Sequence, residues 1–162
     1  MKEYGYLLRD DPAYREKAEY FSSRLKDAGE FLAGLGMIAK LRTMEMTVTY
    51  QDPCHLAHGQ RVRAQPRQLL QMIPGLKLTE MEGADRCCGS AGIYALTQPG
   101  QAEALLKRKV VNVRTTAAAI VATANPGCHL QIARGLKDAA ANVRVMHPVS
   151  LLAEGYRREA VR

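Results

Sequence analysis

Strand-like and helix-like segments alternate four times between residues 41 and 162, and few architectures accept that order. Thr47-Val48-Thr49-Tyr50 is β-branched and aromatic and reads as a strand ending at Asp52-Pro53. Pro66 opens a short helix through Leu69, Leu70 and Ile73, stopped by Pro74-Gly75, and Leu76 to Met81 alternates apolar and polar like a second strand. Pro99 begins a longer helix with Ala102, Leu105, Leu106, Val110 and Val113 on one face. The apolar run Ala118 to Thr123, bounded by Asn125-Pro126-Gly127, reads as a buried strand. Leu130, Ala133, Leu136 and Ala140 space as a helix, Val143 to Met146 as a fourth strand closed by His147-Pro148, and Ser150 to Arg158 as a last helix. This order predicts an α/β domain: a parallel sheet of about four strands with helices on both faces.

Ahead of that unit, Asp10-Asp11-Pro12 has the chemistry of a helix start. Tyr14, Ala18, Phe21, Leu25, Ala28, Leu32 and Leu35 then form a stripe at spacings of three and four, which predicts one long N-terminal helix lasting to about Gly36. The expected division is an N-terminal helical segment over 1–40 and the α/β domain over 41–162. A length of 162 residues leaves no room for two full-sized domains, and 47% hydrophobic with 24% charged residues is the balance of a globular chain. No apolar run approaches the roughly 20 residues of a membrane span. The start, Met1-Lys2-Glu3-Tyr4-Gly5, has no signal-peptide core, so the expected location is the cytoplasm, with any membrane association supplied by partners.

Lysine and arginine exceed the acids by 23 to 16, a net +7. Aromatics are only 6%, and Arg61/Arg63/Arg67, Lys107-Arg108-Lys109 and Arg157-Arg158 are spread along helical stretches, which reads as solvated helix faces rather than a nucleic-acid surface. A second reading of the same charge is that it offsets clustered thiolates or attracts an acidic partner.

Four cysteines are too few for a disulfide scaffold, and in a reducing compartment such residues bind metal or react. Cys54 follows the first strand, Cys87-Cys88 the second and Cys128 the third. Loops after parallel strands open on one edge of the sheet, so these thiols are expected to share one crevice rather than lie in the core. Each of the three loops puts a glycine or proline beside a thiol, in Pro53-Cys54, Cys88-Gly89 and Gly127-Cys128, which allows close backbone approach. Cys128 falls at a helix start, where free N–H groups favour its thiolate. Adjacent cysteines chelate a single tetrahedral ion poorly but reach different irons of a cluster; a vicinal disulfide is the competing reading of Cys87-Cys88.

The pattern Cys-x32-Cys-Cys-Gly-x38-Cys resembles the cysteine-rich (CCG) domain of iron–sulfur oxidoreductases. The nearer likeness is to the C-terminal CCG domain of the glycolate oxidase iron–sulfur subunit. It rests on Asp52-Pro53-Cys54-His55-Leu56-Ala57-His58-Gly59-Gln60, on Ala84-Asp85-Arg86-Cys87-Cys88-Gly89-Ser90-Ala91-Gly92-Ile93-Tyr94 and on Asn125-Pro126-Gly127-Cys128. Lys2-Glu3-Tyr4-Gly5 through Asp11-Pro12 is similar to the segment joining two such domains. The resemblance implies an electron-transfer component of a glycolate or 2-hydroxy-acid dehydrogenase. Its iron–sulfur cluster would be held by Cys54, Cys87, Cys88 and Cys128, and its partners would be a flavoprotein carrying FAD and the remaining iron–sulfur part of the same subunit. Relatives suspected of binding zinc make zinc the alternative metal. No Cys-x2-Cys-x2-Cys run occurs here, so the resemblance implies that the chain is the C-terminal third of such a subunit.

The full family pattern ends Cys-x-x-Cys, whereas Gln131 stands at that last position here and removes one thiolate. His58 and His147 are candidate additional ligands, while His55 and His129 read as loop residues. Asp52, Arg86, Gly89 and Gln131 are expected around the sulfurs as orienting or charge-balancing groups. The chain has no flavin motif and no acid/base pair for 2-hydroxy-acid oxidation, so alone it is expected not to be catalytic. Two rival functions stay open: a structural zinc module that docks the subunit, and a thiol–disulfide oxidoreductase acting through Cys87 and Cys88.

Overall fold

The computed structural model describes residues 1–36 and 39–157. Four strands, β1 (Met46–Gln51), β2 (Leu76–Leu78), β3 (Ile120–Thr123) and β4 (Arg144–Met146), form one sheet in the order β2-β1-β3-β4. Every pairing is parallel, with Val48 opposite Leu78 and Ile120, and Val121 opposite Val145. The α/β architecture read from the alternation is therefore the one observed.

Before the sheet come α1 (Tyr4–Leu7), α2 (Arg15–Arg24) and α3 (Ala28–Leu35). Among and after the strands lie α4 (Ala64–Gln71), α5 (Tyr94–Thr97), α6 (Pro99–Thr115), α7 (Pro126–Asp138) and α8 (Pro148–Arg157). Leu32 of α3, Leu69, Leu70 and Ile73 at α4, and Leu151 and Leu152 of α8 pack with Val48, Tyr50, Ile120 and Ala122 on one face. Leu106, Val110 and Val113 of α6 and Ile132 and Leu136 of α7 pack with Val121 and Val145 on the other. Period-two alternation along β1 and β3 separates the two cores. Gly135 lets α6 and α7 approach, because a β-carbon there would sit 2.7 Å from the Leu106 side chain.

The single long N-terminal helix is corrected to two, α2 and α3, with α1 ahead of its expected start. The stripe of apolar residues is present, but Leu25 turns extended (φ −72°, ψ 125°) and ends α2. Asp27 then caps α3: its side chain accepts from Gly29 N–H, while Glu30 accepts from the Asp27 N–H. The break is written in Asp27-x-x-Glu30, a capping box that overrides the periodicity around it. The last helix starts at Pro148 rather than Ser150, and Arg158 lies outside the described residues. Among the described residues, no helix is long and apolar enough to cross a membrane.

Candidate metal centre

The chain leaves β1 toward β2 on one side of the sheet and β3 toward β4 on the other, so the carboxyl ends of neighbouring β1 and β3 flank the topological switch point, where such sheets open a crevice. Cys54 follows β1 and Cys128 follows β3, and the loop after β2 brings Cys87 and Cys88 to the same edge. A cavity of about 190 Å³ there is lined by all four cysteines together with Gln51, His55, Ser90, Ala91, Gly92 and Asn125. All four cysteines are free. The expected gathering of thiols at one rim is what the topology produces, and the vicinal disulfide does not form.

Their exposure is graded. Cys54 is exposed and Cys87 half-buried, while Cys88 and Cys128 are buried and pack among the core residues beneath α6 and α7. The expectation that no cysteine joins the core is thus corrected for these two: the loop ends dip into the gap between sheet and helices. Cys54 precedes a single π-helical turn, His55–Gly59, whose Leu56 and Ala57 are buried and hold the loop down.

Backbone N–H groups point at sulfur. Gly89 N–H donates to Cys87 Sγ at 3.3 Å. Asn125 caps α7, its side-chain oxygen accepting from Cys128 N–H at 3.0 Å. Cys88 and Cys128 act on each other as a pair, Cys88 drawn down and Cys128 pushed up. The hydrogen bond from Cys128, aided by Ser90 N–H, brings Cys88 down to about 6 against the opposing effect of burial. Cys128 is raised by the same bond and by burial. Burial likewise pushes the Cys87 thiol up. The reduced, metal-free chain should accordingly lose one thiolate from its ultraviolet absorbance as pH falls through about 6. Cys128→Ala should move that step toward the ordinary thiol range; an unmoved step would contradict the pairing.

Two basic residues placed on solvated faces instead hold structure, Lys109 buried and Arg67 half-buried. Lys109 is 2% exposed, and its Nζ donates to the carbonyls of Gly83 (2.7 Å) and Ala84 (3.3 Å), in the loop that leads to Cys87. The signal was available: Lys109 interrupts the apolar stripe Ala102, Leu106, Val110, Val113. Arg67 grips both Asp52 oxygens at 2.8 Å and both Glu80 oxygens at 2.7 and 2.9 Å, with its guanidinium 5.0 Å from the Tyr50 ring centre. Asp52 therefore faces Arg67 rather than sulfur, and its N–H donates to Ala84 O at 3.1 Å, tying the Cys54 loop to the Cys87-Cys88 loop.

The remaining candidates lie outside the cavity lining. His58 is exposed, with Nε2 3.2 Å from Asp85 O and Nδ1 3.0 Å from Arg63 Nη2; since arginine only donates, Nδ1 accepts and Nε2–H donates. His147 Nδ1 accepts from Val149 N–H at 3.1 Å, and burial lowers its pKa. Arg86 is exposed and Gln131 half-buried. Gln51 was missed from sequence; it lines the cavity and accepts from Thr123 Oγ1 at 2.7 Å across the β1–β3 junction.

Among the described residues, no three histidine, cysteine, aspartate or glutamate side chains are placed to hold one metal ion. A closed zinc site needs its sulfurs about 2.3 Å from a single centre. Four thiols lining one cavity, two of them consecutive, are a donor set suited to a polynuclear iron–sulfur centre, which they would hold through sulfur.

A parallel α/β domain with a thiol-lined crevice at its switch point is the class this fold and site define. The family model described as a cysteine-rich domain, CCG, matches residues 48–133, more than half of the chain, and the chain belongs to that family. It is 42% identical over 159 residues to the probable glycolate oxidase iron–sulfur subunit of Bacillus subtilis, covering 95% of this chain and 36% of that protein. It is 41% identical over 151 residues to one of the subunits of the CoM/CoB fumarate reductase of Methanothermobacter marburgensis, covering 93% and 30%. Lactate utilization protein A of Bacillus subtilis is 30% identical over 153 residues, covering 94% and 64%. The chain spans about a third of the length of the first two of these relatives.

Proposed function

We propose that this domain is the electron-transfer part of a glycolate or related 2-hydroxy-acid dehydrogenase, with an iron–sulfur cluster bound by Cys54, Cys87, Cys88 and Cys128. The observation that carries the reading is that four cysteines from three separate loops line one cavity at the switch point. Names of relatives that include iron–sulfur subunits of glycolate oxidase support the same choice. A cluster bound there supplies uptake and release of single electrons. The chain's own residues do the rest. Cys88 and Cys128 anchor from the buried side and Cys87 from the rim, with Gly89 and Ser90 N–H groups facing the sulfurs. Cys54, the exposed thiol, closes the site toward solvent and toward a redox partner.

The partner in this reading is a flavoprotein carrying FAD, joined by further iron–sulfur modules, in the cytoplasm. Residues 1–40 serve as a linker and 41–162 as the cluster domain. Gln131 limits the thiolate set to four, which selects an ordinary four-thiolate cluster over one needing a fifth cysteine.

Anaerobic reconstitution of the chain with iron and sulfide tests this. The expected result is about four irons and four sulfides per chain, a visible band bleached by one electron, and loss of that band in Cys88→Ala. Zinc binding without a visible band would overturn it in favour of a docking module, and metal-free disulfide reduction lost in Cys87→Ser would overturn it in favour of thiol chemistry.

A further inference from the structure

We infer that Lys109 is a positioning residue that acts through charge: a buried cation beside Cys87 that sets the electrostatic potential felt by whatever occupies the four-cysteine cavity. Burying an ammonium carries a large desolvation cost unless an opposite charge or several hydrogen bonds answer it. Lys109 is 2% exposed, and among the described residues no carboxylate comes within ion-pairing distance of it. Its partners are two neutral carbonyls, Gly83 and Ala84. Holding that loop does not require a charge. Asn112, one turn further along α6, pins the preceding carbonyl of Glu82 at 2.7 Å with an uncharged amide. Burial lowers the pKa of Lys109, opposed first by Cys88 and then by Cys128, Asp52 and Asp85, and Lys109 lines a small cavity together with Cys87. Asp52 is already committed to Arg67, and Asp85 to Arg63. The sulfurs are thus the charge that Lys109 answers, and the loop carrying Cys87 and Cys88 is hung on its Nζ.

The role deepens the cluster reading, yet the potential it creates exists in the metal-free chain. Comparing alkylation of the reduced, metal-free full chain by iodoacetate and by iodoacetamide isolates it, because both reagents meet the same sulfurs and differ in their own charge. In Lys109→Gln, which keeps an N–H donor and loses the charge, the iodoacetate-to-iodoacetamide rate ratio at Cys54 and Cys87 should fall at least about threefold. Lys109→Arg should keep it. Lys109→Met fills similar space without a polar atom and serves as the second neutral variant if the glutamine variant does not fold.

In the reconstituted chain the midpoint potential should drop in the neutral variants and hold in Lys109→Arg, since a cation favours the reduced, more negative state. A purely structural role would leave the rate ratio and the potential unmoved, and that result overturns the inference. Failure of the wild-type chain to assemble a cluster would defeat the cluster reading while the alkylation ratio still decides the role of Lys109.

Discussion

Gly89→Ala is expected to cost about 4 kcal/mol or more of folding stability, and the cysteine cavity with it. Gly89 has φ +90°, a conformation that costs a residue with a β-carbon about 1–3 kcal/mol. The larger part is steric. A β-carbon there would overlap the Ala102 carbonyl oxygen and sit 3.1 Å from its carbon. Those atoms are the backbone of α6, so no side chain can swing aside; either α6 or the Cys87-Cys88 loop must move. Because Gly89 N–H also faces Cys87 Sγ, any relief by loop movement misplaces a sulfur. Urea denaturation of the reduced chain checks this, and a loss below about 1 kcal/mol would show that the loop has slack the packing denies.

Arg67→Met is the second large effect, at about 3 kcal/mol of destabilisation. Removing the half-buried arginine leaves its carboxylate partner charged and desolvated, since the Asp52 side chain is only 3% exposed. The methionine would fill much of the arginine's volume over Tyr50, so the loss reports the stranded carboxylate rather than a cavity. Arg67→Met with Asp52→Asn should recover most of the loss, since the carboxylate is then gone. Asp52 N–H also bonds Ala84 O, so the single variant is expected to loosen Cys54 relative to Cys87 and raise the alkylation rate of Cys87. Equal stability of Arg67→Met and wild type would place the pair among those that contribute nothing net.

The sheet was legible because β-branched runs and glycine- or proline-marked stops agree at each level: Thr47 to Tyr50 and Ala118 to Thr123 carry the pattern in their own residues. The thiol crevice was legible for a topological reason, since cysteines following consecutive parallel strands have one edge to share. The N-terminal helix failed where a local capping signal, Asp27-x-x-Glu30, outweighed a correct periodicity. Lys109 and Arg67 failed because net charge counts residues and says nothing of which side chain turns inward. For Lys109 the apolar stripe of α6 held the clue, whereas nothing local marks Arg67 as the partner of Asp52, 15 residues away. The pairing of Cys88 with Cys128 joins loops 40 residues apart and belongs to tertiary structure alone.

X-ray absorption at the iron edge of the anaerobically reconstituted chain tests most directly whether all four sulfurs serve one centre. The account predicts iron surrounded by sulfur with iron–iron scattering. Serine at Cys54, Cys87, Cys88 or Cys128 should in each case bring one oxygen neighbour or lose the centre. Iron held only by nitrogen and oxygen, or a spectrum indifferent to Cys54→Ser and Cys128→Ser, would contradict it.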